Sequence, residues 1–263
     1  MLKDLSSARY GEHACNLGAI LASKFAEKYK IPAFISDPVT VDELAPEARI
    51  AGSALFKKTS IFHALNQKAI AKRFAEETGK FYKNINLIVV HLGGGISIGV
   101  HKKGKVVDVN NALEEGPFTP ERSGFLPMGQ LVKLCFSGKY TEKEVSKILV
   151  GKGGLVSHLG TSDCRIIEKR ILNGDKKAEL IYKAMGYSIA KYIGAAATVL
   201  NGKVTAILLT GGGAKSRILV KNIKQKINFI APVKVYPGEN EMSSLASGAL
   251  RALKGKEKIL TYR

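Results

Sequence analysis

The sequence predicts an α/β protein with a mixed sheet. Stretches with the apolar period of helices alternate with short apolar runs typical of strands. Residues 87–109, LIVVHLGGGISIGVHKKGKVVDV, combine a buried strand, a glycine turn and two further strands that run back and forth as an antiparallel meander. The chain has 263 residues, of which 45% are hydrophobic and 24% charged, and this is enough for a substantial core.

Before the meander, the pattern predicts two helices and one strand. Apolar residues fall on one helical face over 11–30, and Pro32 ends that pattern. The run AFIS, residues 33–36, predicts a short buried strand that leads into Asp37. Residues 64–77, ALNQKAIAKRFAEE, have the period of a helix.

After the meander, helical patterns dominate, with one clear strand. A long stripe of apolar residues every three or four positions indicates a helix of several turns packed on the sheet. In chain order, the predicted elements are helices over 126–136 and 142–150, a long helix with its stripe from Ile181 to Leu200, a strand over 204–210, a helix over 214–226 and a last helix over about 242–254.

The charge balance is strongly basic, with 41 Lys and Arg against 22 Asp and Glu and a formal net charge of +19. Most lysines are scattered along predicted helices, and no nucleic-acid-binding motif accompanies them. This distribution favours a solvated lysine-rich surface, which would attract anionic substrates. A basic nucleic-acid-binding protein is the alternative from another class of function.

The sequence predicts a cytoplasmic protein. No apolar run reaches the length of a membrane span, and the start MLKDLSSARY lacks the apolar region of a signal peptide. Cys15, Cys135 and Cys164 are far apart and odd in number, so that neither a disulfide framework nor a zinc site is expected.

Two glycine clusters each follow a predicted strand, Gly93, Gly94 and Gly95 in the meander and Gly211, Gly212 and Gly213 before a helix. Neither cluster completes a P-loop or a dinucleotide-binding fingerprint. A tight structural turn is the simpler explanation of the first cluster. The second cluster precedes a helix, where backbone N–H groups favour an anion. Together they suggest one nucleotide held between them.

These segments resemble motifs of the acetokinase family, within the acetate kinase, sugar kinase and actin superfamily, and in particular those of its butyrate kinases. The likeness covers essentially the whole chain. It is carried by ARYGEHACNLGAI, SDPVTVDEL, SIFHALNQKA, the meander with its continuation to PFTPERSG, LCFSGKY, GKGGL, GTSDCR, LTGGGAKS and YPGENEMSSLASGALR.

The resemblance implies an actin-like ATPase (ribonuclease H-like) fold with one complete domain and a truncated first domain. It assigns 1–48 to a remnant of the N-terminal domain, 49–240 to the C-terminal domain, and 241–263 to a terminal helix that packs back on the N-terminal domain. Relatives begin with an Asn-x-Gly-Ser-type phosphate loop that ends in lysine, and this segment does not precede Met1. We therefore expect either an N-terminal segment encoded upstream or an inactive, partner-dependent fragment.

The implied activity is transfer of the γ-phosphoryl group of ATP, with Mg²⁺, to butyrate or a similar short or branched-chain fatty acid in a homo-oligomeric enzyme. Acetate kinases have asparagines near the positions of Gly94 and Lys215, and their absence here favours the longer acids. The carboxylate acceptor is already ionised at neutral pH, so that arginines rather than a general base should carry the chemistry. Acyl-chain length and physiological direction stay open.

The resemblance assigns catalytic roles to five residues. Arg122 and Arg165 would stabilise the transition state, although each alone could be a surface ion pair. His91 would hydrogen-bond the phosphoryl group, although a buried core histidine fits its position equally well. His63, at a helix start, would face the acyl substrate, and Asp37 would lie near Mg²⁺ or the acceptor.

The remaining predicted site residues belong to the nucleotide and the metal. Both glycine clusters would hold phosphates and adenosine, together with Ser216, and Asp163 would lie close to the ribose. Glu241, which could otherwise only complement a helix dipole, would place Mg²⁺ through water. Glu239 could share that role.

Overall fold

The structure is a computed structural model that describes residues 2–7 and 15–260. The chain forms two compact units, one from Met1–Pro38 together with Asn240–Arg263 and the other from Val39–Glu239. The predicted domain boundaries at residues 48 and 240 concern the family's fold and stay predictions.

The Val39–Glu239 unit contains a five-stranded mixed sheet of order β3-β2-β1-β4-β5. β2 runs antiparallel to β1 and β3, whereas β4 runs parallel to β1 and β5. The predicted meander and mixed sheet are confirmed. The strands are β1 Asn86–Leu92, β2 Ile96–Lys102, β3 Lys105–Val109, β4 Ala206–Gly211 and β5 Val233–Pro237.

The helices confirm most of the predicted pattern. Residues 64–77 form a helix with the predicted bounds, and the long stripe lies on a helix of 24 residues. In the described residues the α-helices are α1 Leu2–Ser6, α2 Cys15–Tyr29, α3 Ala64–Glu77, α4 Met128–Cys135, α5 Glu142–Leu149, α6 Gly154–Leu159, α7 Cys164–Leu172, α8 Lys176–Val199, α9 Arg217–Ile227 and α10 Glu241–Leu253.

Helices pack on both faces of the sheet, which explains the continuous apolar run of β1. On one face, Met185, Ile189 and Ile193 of α8 are fully buried in a core that includes residues of β1, β2 and β4. On the other face, Ile70 and Phe74 of α3 pack with residues of β1 and β4. β1 is therefore buried on both sides and holds its last residues rigidly.

Several details differ from the predictions. Residues 33–36 form no strand, because no described strand pairs with them, and an extended run without a ladder partner is not part of a sheet. The predicted helix over 11–30 is present as α2, and its first four positions lie outside the described residues. Helices α6 and α7 are short and have no long apolar period, and we did not predict them.

None of the helices described here combines the length and the apolar character that crossing a membrane would require.

Candidate active site

A cleft lies where the parallel strands β1 and β4 end, as is usual for ligand sites in sheets of this kind. Its volume is about 430 Å³. The predicted site residues that line it are Gly93, Gly94, Asp163, Arg165, Gly212, Gly213 and Ser216. The two glycine clusters, more than 110 positions apart in the sequence, thus face one space.

The second glycine cluster brings β4 against the end of β1. Gly211 has φ +87°, and a Cβ there would lie 2.5 Å from the carbonyl oxygen of Leu92. A Cβ on Gly213 would lie 3.0 Å from the same oxygen. Only glycine allows this approach. The chain then forms a short 3₁₀ turn over Gly212–Lys215 and enters α9.

The first glycine cluster is closed by its own hydrogen bond and packs on Arg122. The N–H of Gly93 donates to the carbonyl oxygen of Gly95 at 3.0 Å. Thr119 donates its hydroxyl to the carbonyl oxygen of Gly94 at 2.5 Å. A Cβ on Gly95 would overlap the Arg122 guanidinium. The glycines therefore form a tight structural turn and also leave room for the Arg122 guanidinium to pack against it.

Arg122 is half-buried with donors available for an anion. Its Nη1 donates to the carbonyl oxygen of Ala112 at 2.6 Å, while its Nε is buried without a hydrogen-bond partner in the described part of the chain. Burial lowers the pKa of the guanidinium, although an arginine stays charged. A buried N–H without a partner is costly, so this geometry suits an anionic ligand.

His91 and His63 are brought together as a stacked pair. Their ring centroids are 3.8 Å apart, and the rings are 11° from parallel. His91, at the end of β1, is 3% exposed, and its Nε2 lies 4.0 Å from a carboxylate oxygen of Glu239, which lines the cleft. Burial, with a smaller effect from His63, lowers the pKa of His91 to about 3.

His63 is the N-terminal flanking residue of α3, but its side chain does not cap that helix. Its Nδ1 lies 2.8 Å from the hydroxyl oxygen of Ser97 on β2. The ring therefore points toward the sheet, where His91 lies.

Asp163 and Arg165 form a pair on the α7 side of the cleft. The Asp163 carboxylate accepts the Arg165 backbone N–H at 2.9 Å and its guanidinium at 3.0 and 2.6 Å. This pairing lowers the pKa of Asp163 to about 2. The Arg165 side chain is 91% exposed. No described hydrogen bond joins it to Arg122, so the two predicted catalytic arginines occupy different surroundings.

Ser216 uses its hydroxyl within the fold. It accepts the backbone N–H of Leu219 at 2.9 Å, which caps α9, and it donates to the carboxylate of Glu168. The hydroxyl of Tyr182 donates to the same carboxylate at 2.9 Å. Ser216 thus lines the cleft while holding α9, α7 and α8 together.

Asp37 and Glu241 belong to the other compact unit. Asp37 lies in a bend with φ +41°, and the buried strand expected to precede it is absent from the described residues. Glu241 is the exposed first residue of α10. Of the two glutamates considered for the metal, Glu239 lines the cleft.

Within residues 2–7 and 15–260, no group of three or more His, Cys, Asp or Glu could hold a metal ion. Mg²⁺ keeps most of its waters and is bound through one or two carboxylates and substrate phosphates. The cleft is lined by Glu121, Asp163, Glu168 and Glu239 beside the two glycine turns, and this combination fits Mg²⁺ that arrives with a nucleotide.

Several residues of the site were missed by the sequence analysis. Glu168 lines the cleft, Asn66 contacts His91, and Ser97 contacts His63. Gln67 in turn donates to Ser97. The alternation of polar and apolar residues along β2 could have revealed Ser97, because it places a serine on a face that the flanking helix buries.

Comparisons with known proteins agree on one family. The sequence profile of the Acetokinase family matches residues 56–250. Butyrate kinase 2 of Clostridium acetobutylicum is 53% identical over all of this chain, which covers 74% of that protein. Acetate kinase of Porphyromonas gingivalis superposes with a TM-score of 0.82 at 22% identity, over 96% of this chain and 72% of that one. Acetate kinase from Entamoeba histolytica superposes with a TM-score of 0.82 at 18% identity, over 96% and 74% of the two chains. The predicted actin-like ATPase fold is confirmed.

Proposed function

The chain belongs to the acetokinase family, and from this premise we propose that it is a carboxylate kinase of the butyrate kinase type. It transfers the γ-phosphoryl group of ATP to butyrate or a similar short or branched-chain acid and forms acyl phosphate and ADP reversibly. The observation that carries this proposal is the single cleft shared by both glycine turns, with Arg122 packed against the first of them.

Bound with Mg²⁺, ATP would supply the transferred phosphoryl group. The residues of this chain bind and position it. Backbone N–H groups of the glycine turns hold phosphates, Asp163 and Ser216 lie on the adenosine side, and Glu239, or Glu241, orients waters of the metal. The lining of the cleft supports these proposals except that for Glu241, which rests on the family resemblance alone.

Arg122 stabilises the charge that develops on the phosphoryl oxygens, because its guanidinium is held rigidly and has a donor without a partner. Arg165 shares its charge with Asp163, so that it contributes less unless that pair opens on binding. His91 contacts the phosphoryl group, His63 faces the acyl substrate, and Asp37 orients the acceptor or the metal. An oxygen of the substrate carboxylate bonds to the γ-phosphorus, while the bond to the β–γ bridging oxygen breaks and ADP leaves.

We further propose a cytoplasmic enzyme, as its apolar runs and cysteines favour, and a homo-oligomer, as the resemblance implies. The family's cosubstrate, ATP, supports the first statement. Sedimentation velocity of the purified chain tests the second.

The direct test is acyl phosphate formation. The purified chain is incubated with Mg-ATP and carboxylates from acetate to hexanoate, and the product is trapped with hydroxylamine. We expect a maximum at four or five carbons, because each methylene in an apolar pocket is worth about 1–3 kcal/mol. Reactions without Mg²⁺ or without carboxylate are the controls. A folded chain that forms no acyl phosphate from any of these acids would contradict the proposal.

A further inference from the structure

A buried polar layer lies between α3 and β2, beside the stacked histidines. Ser97, Gly99 and His101 alternate along β2 and share the face toward α3, whereas the intervening apolar residues face α8. Ser97 and His101 are 0% exposed, as is Gln67 of α3. Polar atoms buried this deeply must find their partners within the protein.

Gln67 lies across Gly99, where a Cβ would overlap its amide oxygen. Its Nε2 donates to the carbonyl oxygen of Ser97 at 3.1 Å and to the Ser97 hydroxyl at 2.8 Å. Because a backbone carbonyl can only accept, the orientation of the amide is determined. The amide oxygen therefore accepts from Nε2 of His101 at 3.0 Å, and His101 Nδ1 accepts from the hydroxyl of Tyr82 at 2.7 Å.

The Ser97 hydroxyl links this set of hydrogen bonds to His63. Its oxygen already accepts the Gln67 amide and, at 3.4 Å, the backbone N–H of His63. Its hydrogen is left for Nδ1 of His63 at 2.8 Å. Nδ1 is therefore an acceptor, and the neutral His63 ring carries its proton on Nε2.

Asn66 determines the other ring by the same logic. Its Nδ2 donates to the backbone carbonyl oxygen of Glu239 at 2.9 Å, which leaves its Oδ1 to accept from Nδ1 of His91 at 2.9 Å. His91 therefore carries its proton on Nδ1 and has a lone pair on Nε2.

We propose that Gln67 is a positioning residue that, through Ser97, fixes His63 as the Nε2–H tautomer, while Asn66 fixes His91 as the opposite tautomer. The stacked rings then present one N–H donor and one acceptor instead of two equivalent groups.

The consequence for catalysis rests on the proposed kinase function. Burial lowers the pKa of His91 to about 3 and so favours its neutral form, and the Nδ1–H that binds Asn66 then leaves Nε2 as an acceptor. Of the two rings, His63 is then the one that carries a proton on Nε2, the atom suited to donate to an anionic oxygen. This division differs from the one that the family resemblance implies, in which His91 is the donor to the phosphoryl group.

The tautomers can be read directly by long-range ¹H–¹⁵N correlation spectra of the whole chain labelled with ¹⁵N-histidine, at neutral pH and without ligand. We expect a protonated Nε2 and a bare Nδ1 for His63, and the reverse for His91. The wild-type spectrum alone is decisive, because a proton on Nδ1 of His63 would overturn the proposal.

The variant Gln67→Glu tests the route through Ser97. It keeps the shape but removes the amide donor, so that the Ser97 hydroxyl donates to the new carboxylate and His63 must carry its proton on Nδ1. We expect His63 to change tautomer and kcat to fall at least tenfold, with a smaller change in KM for ATP. Gln130→Glu, the same change at an exposed position of α4, should alter neither.

If Gln67→Glu does not fold, Ser97→Ala removes the same donor and should leave His63 as a mixture of tautomers. An unchanged, single His63 tautomer in folded Ser97→Ala would overturn the route through Ser97, because this variant has no hydroxyl at position 97. A wild-type chain with the expected tautomers but without kinase activity would contradict the proposed function and leave the assignment of protons in place.

Discussion

At the scale of single residues, the polar groups of the candidate site differ in how deeply they are buried and in whether they already have partners. Arg122 is half-buried with an unpartnered donor, whereas Arg165 is exposed and already paired. His91 and His101 are buried and neutral. The burial of each group therefore indicates how strongly its removal should affect activity or stability.

Arg122→Ala should lower kcat for acyl phosphate formation on the order of 10³-fold, because an arginine on the transferred phosphoryl group acts mainly on transition-state charge. Steady-state kinetics with Mg-ATP and butyrate measure the effect. Arg49→Ala is the matched control, since Arg49 lies in the same compact unit in an exposed ion pair with Asp42. A rate for Arg122→Ala within tenfold of wild type would remove Arg122 from the proposed role.

The buried histidines should make the protein less stable in acid. Burial lowers the pKa of His91 and of His101 to about 3, so that between pH 3 and 6.5 the unfolded chain binds protons that the folded chain does not. Stability therefore rises with pH in this window, and each histidine should cost about 2 kcal/mol at pH 5 relative to pH 7.5.

Urea unfolding at the two pH values measures this difference. His101→Gln should be less stable than wild type at pH 7.5, because two buried hydrogen bonds change. Its free energy of unfolding should, however, fall by less than that of wild type between pH 7.5 and pH 5. His158→Gln replaces an exposed histidine of α6 and should keep the wild-type dependence. An equal decrease in the free energy of unfolding of His101→Gln and wild type would show that His101 does not contribute to the pH dependence of stability.

At the scale of elements, the site depends on how β1 and β4 end. Both strands are buried and parallel, and their ends meet because glycine at position 211 has φ +87° and no side chain against Leu92. The way in which the two strand ends meet beside the cleft therefore depends on the backbone contact between Gly211 and Leu92.

Gly211→Ala should destabilise the protein by about 3 kcal/mol or more, because a positive φ and a steric overlap add together. Gly79→Ala separates the two causes, since Gly79 has φ +65° and open space around it, and should cost only about 1–2 kcal/mol. Urea unfolding compares the variants, and nucleotide titration tests whether Gly211→Ala also loses binding. If both variants lose the same free energy of unfolding, the close contact of Gly211 with Leu92 does not add to the cost of the positive φ.

At the scale of the whole molecule, the net charge of +19 allows two kinds of anionic ligand. A nucleotide in the cleft is held by directed hydrogen bonds, whereas a nucleic acid on scattered lysines is held by charge that salt screens.

Mg-ADP at 100 times its Kd should stabilise the chain by about 2.7 kcal/mol and raise its Tm. Most of this stabilisation should remain in 0.3 M KCl, whereas binding of a fluorescent DNA duplex should weaken on the order of 10³-fold between 0.05 and 0.2 M salt. Thermal unfolding and fluorescence anisotropy measure the two effects, with ADP without Mg²⁺ as the control. DNA binding that resists salt, together with no effect of Mg-ADP, would favour the nucleic-acid alternative.

The elements with a long apolar period and the positions that require glycine can be predicted from the sequence. α3 and α8 were predictable because one helical face packs on the sheet over several turns. The glycine clusters were predictable as turns after buried strands. The helix α6 was not, since six residues are too few to show a helical period. The nine-residue α7 was missed although it is no shorter than the predicted α4 and α5.

Which side chains share the cleft could not be predicted in this way and follows from the tertiary fold. It brings together Gly93 and Gly213, places Glu239 there, and stacks His63 on His91, although each pair is distant in the sequence. It also decides which ring nitrogen carries each proton. The physical reason is that periodicity reports which face of an element is buried, whereas hydrogen-bond direction and pKa depend on neighbours that sheet register and helix packing supply.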